Sequence, residues 1–283
     1  MRRLLFPALL LANLLAAAAT PPPAVLTRPT ALTYPWLPEA GPATLSPLAR
    51  FPPPAGCRRV AVAPGSWGEW LRWLPLLPAG TKARHFDGTL KSRQEVVAAV
   101  VNIDVGKTDL QQCADAVIRL RAEYLFSQDP NKIHFHLTTG YDFWFSDYVA
   151  GKTFKVKGET VLPTPKPAEA PTHAALARYL LPTFGYAGTL SLSRELRRVP
   201  LAQVQPGDVL IHGGAPGHAV LVVDVAENPV THEKFMLLAQ SYMPAQSIHL
   251  LRTERSAWFK VEPEEVQVLT PEWPFETDEL ARF

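Results

Sequence analysis

Two strand-like runs on either side of Gly213-Gly214-Ala215-Pro216-Gly217 constrain this chain more than any other feature. Residues 209–212 and 218–225 are rich in Val, Leu and Ile, the residue types that suit a pleated surface. The short glycine- and proline-containing turn joins them tightly, as a hairpin requires. Further runs at 234–240 and 248–251 extend the pair into an antiparallel meander. The earlier half reads mostly as helices. Helices first and strands later predict an α+β fold.

The strongest helical pattern spans 109–125. Asp109 is a suitable N-cap, and Gln112 stands at the capping-box position. Cys113, Val117, Leu120 and Tyr124 form one apolar stripe. Asp115 and Arg119 stand i, i+4 and are expected to pair. Residues 66–74 predict another helix, with Ser66 as N-cap and Glu69 three residues on. Its tryptophans Trp67, Trp70 and Trp73 recur at helical spacing and are expected in the core. Residues 95–101 fit a strand or a helix end. Aromatic strand-like pieces follow at 133–137 and 141–148, then a proline-rich loop at 162–171. Helices are expected at 174–181, stopped by Pro182, and at 191–198.

The N-terminus reads as a secretory signal over residues 1–19. Arg2 and Arg3 supply the basic region, 4–15 the apolar region, and Ala17-Ala18-Ala19 a small-residue cleavage site. The apolar stretch of 16 residues is short for a membrane span of about 20. No cysteine stands near the cut to carry a lipid. The expected product is therefore exported, periplasmic or extracellular, not a lipoprotein, and without a stable membrane span. Residues 20–54 hold 11 of the 29 prolines. Proline fixes φ and lacks a donor, so 20–50 is read as an extended linker and docking segment. Tyr34 and Trp36 would be costly to leave exposed. A single α+β domain is expected over 51–283. Net charge is only +2, which excludes the basic footprint of a nucleic-acid binder.

A cysteine that opens a helix is a candidate nucleophile, because the helix N-terminus lowers a thiol's pKa. Cys113 holds that position, and His218 opens a later strand. A histidine partner can complete thiol activation. Gln240, ending the next strand, is the candidate to orient the imidazole. Backbone N–H groups at the helix start, with Gln111 or Gln112, could hold an oxyanion. His212 rivals His218. A buried, inert thiol is the alternative for Cys113, and a Cys57–Cys113 disulfide is another. Asp208, after Gly207, has a sufficient structural role in a turn. His134 and His136 share a face of one strand, but no matching carboxylate or cysteine cluster stands out. The reading therefore assigns no metal and no cofactor.

Residues 104–106, 109–117, 119–124, 186–189, 217–220 and 239–246, with Thr270-Pro271-Glu272-Trp273 near the end, form a set of distinctive stretches. Together they resemble the family called domain of unknown function 4846. That resemblance implies an exported bacterial envelope protein. More loosely, residues 189–196, 206–211 and 217–223 and the strand ending at Gln240 are similar to the second half of NlpC-type and CHAP-type cell-wall peptidases and amidases. This second resemblance implies a papain-like fold, a helix packed on an antiparallel sheet, with Cys113, His218 and Gln240 as catalytic residues. The separation of 105 residues between Cys113 and His218 exceeds that of the similar enzymes, so an insertion near 130–175 is expected. Gln112-Cys113 is nearer the CHAP pattern than the usual Asp-Cys-Ser-Gly type. The expected function is amide hydrolysis by an exported cysteine hydrolase acting on peptidoglycan stem peptides. The alternative is a non-catalytic envelope protein that keeps this fold to bind a peptide or glycan.

Overall fold

The central strand, His218–Glu227, explains the architecture. Nine of its ten residues are buried, on both faces of the strand, and only Glu227 at its end is partly exposed. A strand can be apolar on both faces only when both faces are covered. Here Ala219, Leu221 and Val223 face one core with Trp70, Val117, Leu120 and Tyr179. Val220, Val222 and Val225 face a second core with Met236, Leu238, Phe259 and Phe275. The computed structural model describes residues 26–39 and 41–283. The predicted signal segment, 1–19, and the start of the linker lie outside these residues.

The fold is mixed α+β around a mostly antiparallel sheet. In spatial order the main path runs Val97–Val100, His249–Leu251, Lys234–Gln240, His218–Glu227, Val209–His212, Leu280–Arg282 and Arg197–Arg198. Arg58–Arg59 adds to the central strand and Trp258–Lys260 to its neighbour, giving nine strands. The expected hairpin is present, with His212 opposite His218 in register. Gly217 is confined: a Cβ there would meet Thr189 Oγ1 at 2.4 Å and the carbonyl oxygens of Gly214 and His212. That crowding holds the Thr189 helix start against the turn that delivers His218.

The helices Trp67–Arg72, Cys113–Gln128 and His173–Tyr186 supply the first core. Ser66 caps the first of these, accepting from the Glu69 N–H, and Trp70 is fully buried. Asp224, buried in the central strand, accepts from Arg59 Nε at 2.5 Å and Arg72 Nε at 2.6 Å. This triad fixes the first short strand and the tryptophan helix to the sheet. The segment before them is seated on the same core. Leu32 and Tyr34 are buried, Tyr34 Oη donates to the Trp70 carbonyl, and the Trp36 indole donates to the Asn102 carbonyl. Among the described residues no helix is long and apolar enough to cross a membrane.

Several local expectations are corrected. The Cys113 helix is capped by Gln112, not Asp109, and runs to Gln128. Asp109 instead accepts from the Ala245 N–H and from the Gln112 side chain. Asp115 does not pair with Arg119; it accepts from the Gln112 backbone N–H, and Arg119 pairs with Glu123. The stretch 162–171 is partly a strand, Thr160–Pro165, paired with Lys152–Lys157. A two-stranded ribbon has a free edge on each side, so the missing proline donors cost little there. Pro182 does not end its helix, which continues to Tyr186. The proline removes one N–H, and the carbonyl four residues back belongs to exposed Arg178, where water can replace it. The helix expected at 191–198 is Thr189–Glu195, followed by a short strand.

Candidate functional site

Cys113 is the first residue of its helix. The chain enters this helix through a loop tied to the end of the Gln240 strand. Buried Ser241 donates to the Gln111 carbonyl at 3.0 Å, and Asp109 accepts from the Ala245 N–H at 2.6 Å. These bonds bring the helix start beside the strand ends. The backbone N–H groups of Ala219, Ala114 and Cys113 pull the thiol pKa down, but burial is the larger influence and leaves it raised. Cys57 and Cys113 are both free thiols.

Cys113 and His218 line one cleft of about 730 Å³, together with Gln112, Tyr242, Met243 and Trp273. His218 is 2% exposed. Its ring lies 4.8 Å from that of Tyr242, 5.5 Å from Trp273 and 5.9 Å from Phe275. Burial beneath these rings takes the imidazolium out of water and lowers the His218 pKa to about 4. No hydrogen bond joins Cys113 to His218. The cleft therefore holds a neutral thiol and a neutral imidazole at rest.

A chain of buried polar groups sets the imidazole's tautomer. Lys91 Nζ meets Glu272 Oε1 at 2.6 Å, and both side chains are nearly inaccessible. The Gln240 amide nitrogen donates to Glu272 Oε2 at 2.6 Å. A carboxylate held by a lysine only accepts, so it draws the NH2 side of Gln240 and turns the amide oxygen away. That oxygen stands 2.9 Å from His218 Nε2. An amide oxygen also only accepts, so Nε2 carries the proton and Nδ1 keeps the lone pair. The imidazole can then act as a base through Nδ1. His249 sits opposite Gln240 on the next strand. It is fully buried, and burial lowers its pKa to about 4 as well.

The structure brings together Cys113, Gln112, His218 and Gln240 at this cleft, directly or through hydrogen bonds. It takes Gln111 elsewhere. The Gln111 side chain lines a neighbouring cleft, and its oxygen accepts from Arg119. Successive residues before a helix point in different directions, so two adjacent glutamines could not both face the thiol. His212 pairs with Glu279 at 2.6 Å and is half-exposed. Asp208 is structural: it accepts from the Gln205 N–H and from Arg282. Sequence reasoning missed Lys91, Glu272 and the aromatic cage. One signal was available, since Glu272 and Trp273 belong to the distinctive segment 270–273. Lys91 carried none.

The family described as Domain of unknown function (4846) matches residues 48–282, and the chain belongs to this family. No curated protein and no solved structure matches the chain.

Proposed function

We propose that this protein is an exported papain-like cysteine hydrolase that cleaves an amide bond in peptidoglycan stem peptides. The observation that carries the reading is the shared cleft. A helix-opening thiol stands with a histidine whose tautomer is set, through Gln240, by a buried Glu272–Lys91 pair.

In this mechanism the Cys113 proton passes to His218 Nδ1 as the sulfur attacks the amide carbon. The carbonyl oxygen takes the negative charge, held by the Cys113 backbone N–H and the Gln112 amide. The C–N bond breaks, and His218 returns the proton to the leaving amine. A water then loses a proton to His218 and attacks the thioester, releasing the acid and restoring the thiol. Substrate filling the cleft must tighten the Cys113–His218 approach, as catalytic contacts often do on binding. Gln240 and Glu272 are positioning residues, acting through His218.

The resting neutral pair also favours a second reading, a binding protein that keeps the papain-like site without turnover. One assay separates the two. The purified chain is incubated with peptidoglycan and with soluble stem peptides, and products are read by mass spectrometry. The hydrolase reading expects new amine and carboxylate termini that vanish in Cys113→Ala. Equal product from wild type and Cys113→Ala would sink it. Saturable binding without cleavage would establish the second reading.

A further inference from the structure

We propose that His134, His136 and Glu195 form a binding site for one divalent first-row transition-metal ion, with Zn2+ as its natural class. The inference is independent of the hydrolase reading and uses none of its residues.

The site arises from strand periodicity and one distant helix. His134 and His136 alternate along the strand His134–His136, so both rings project from the same face. Their rings are 5.8 Å apart. Glu195 ends the helix Thr189–Glu195 and reaches the same face. One ring nitrogen of each histidine and one carboxylate oxygen of Glu195 lie within 4.8 Å of one another. Among the described residues this is the one group of three potential ligands so placed. Two imidazoles and a carboxylate suit Zn2+ and its neighbours, and three protein ligands leave a coordination position open. At metal–ligand distances near 2.1 Å, tetrahedral donors stand about 3.4 Å apart. The three half-buried side chains need to close by at most about 1.4 Å to reach that spacing.

Two further observations point to a ligand. His134 Nδ1 is buried without a hydrogen-bond partner, and buried ring nitrogens are ordinarily satisfied. The rings are also held in place. His134 stacks on Trp144 at 4.1 Å and 15°, and the Trp144 indole is fixed by Asp142 at 2.7 Å. Glu195 Oε2 accepts from the His136 backbone N–H at 3.1 Å and lies 3.2 Å from His136 Nδ1. The Trp144 stack and the backbone N–H contact are outer contacts of the kind that orient ligands in metal sites, whereas the His136–Glu195 side-chain contact joins two ligands and opens when an ion binds between them. The neighbouring cations are Arg194, which with His136 and Glu195 lines a small cavity of about 150 Å³, and Arg121, which feels the Glu195 charge. The cavity leaves room for an ion or its bound water beside His136 and Glu195.

The test is equilibrium dialysis of the purified chain against Zn2+ at neutral pH, with Co2+ substitution to read coordination from its visible absorption. One ion per chain is expected, with Co2+ bands of four- or five-coordinate intensity. His136→Ala and Glu195→Gln should each weaken binding by at least about a hundredfold, more than the loss of an outer contact. Glu195→Gln is nearly isosteric, and circular dichroism of both variants checks the fold. Cys113→Ala and His212→Ala should bind Zn2+ like wild type. Binding that survives His136→Ala and Glu195→Gln, or that is lost in Cys113→Ala or His212→Ala, would overturn the proposal. So would the absence of binding tighter than millimolar.

Discussion

His136 and His218 each answer to a glutamate, and they do so in different ways. His136 touches Glu195 directly, on a half-exposed surface. His218 is buried and meets Glu272 only through Gln240. A glutamine between them passes on orientation but no net charge, so His218 gains a fixed tautomer while remaining neutral. The carboxylate itself is balanced by Lys91. The difference teaches that a base can be aimed without being charged, and that this arrangement commits four buried groups where a surface pair commits two.

The largest expected effect lies in activity. His218→Ala should lower amide hydrolysis by about 10²–10⁴-fold, the usual span for a general acid–base, with the fold retained. His136→Ala should leave the same rate unchanged. Equal rates for wild type and His218→Ala would remove the functional half of the comparison.

Stability separates the two carboxylates next. Glu272→Leu leaves Lys91 buried and unpaired, which should cost about 3–5 kcal/mol in denaturant unfolding. It also frees Gln240 to rotate, so residual activity should show a shifted pH profile. Lys91→Met combined with Glu272→Leu should recover much of the loss, because an apolar pair can replace a buried ion pair. A cost below about 1 kcal/mol for the single change would mean that water reaches this network.

The pH dependence is smaller. His218 and His249 have folded pKa values near 4, against 6.5 for an ordinary histidine. Below 6.5 the unfolded chain takes up protons that the folded chain refuses. Their stabilisation is therefore whole above about pH 6.5 and is lost as pH falls toward 4. It is about 3 kcal/mol for each group. Asp115, whose pKa is raised by burial, contributes the opposite slope, so the difference between variants is the useful quantity. His249→Asn should flatten the loss between pH 6.5 and 4 by about 3 kcal/mol, read from urea midpoints. An unchanged slope would show that His249 is protonated in the folded state.

The smallest effect belongs to the surface pair. Glu195→Gln should alter metal-free stability by less than about 1 kcal/mol. A larger loss would mark the Glu195–His136 contact as part of the core.

The contrast also shows what a one-dimensional reading can reach. The hairpin around residues 213–217, the tryptophan helix and the helix opening near Cys113 were legible, because each rests on local periodicity or turn chemistry. Gln240 was visible as a strand end in a meander. Glu195 was not joined to His134 and His136, because a helix 59 residues downstream supplies it and no local pattern announces that packing. Lys91 escaped for the same reason, lying 181 residues from Glu272. Asp109 was misplaced as a cap because its side chain serves a loop 136 residues away. Pro182 shows the limit of breaker rules when tertiary packing carries a helix through.

The seating of the segment around residue 34 has a practical consequence for anyone trimming the chain. The family boundary falls at residue 48, yet Leu32 and Tyr34 lie inside the main core and the Trp36 indole reaches Asn102. A fragment begun at 48 would carry an open socket over Trp70. Its walls would lose about 1.5–3 kcal/mol for each large apolar side chain removed. Expression boundaries drawn from the family alone would cut through the part they aim to isolate, and a start upstream of Leu32 keeps the socket filled.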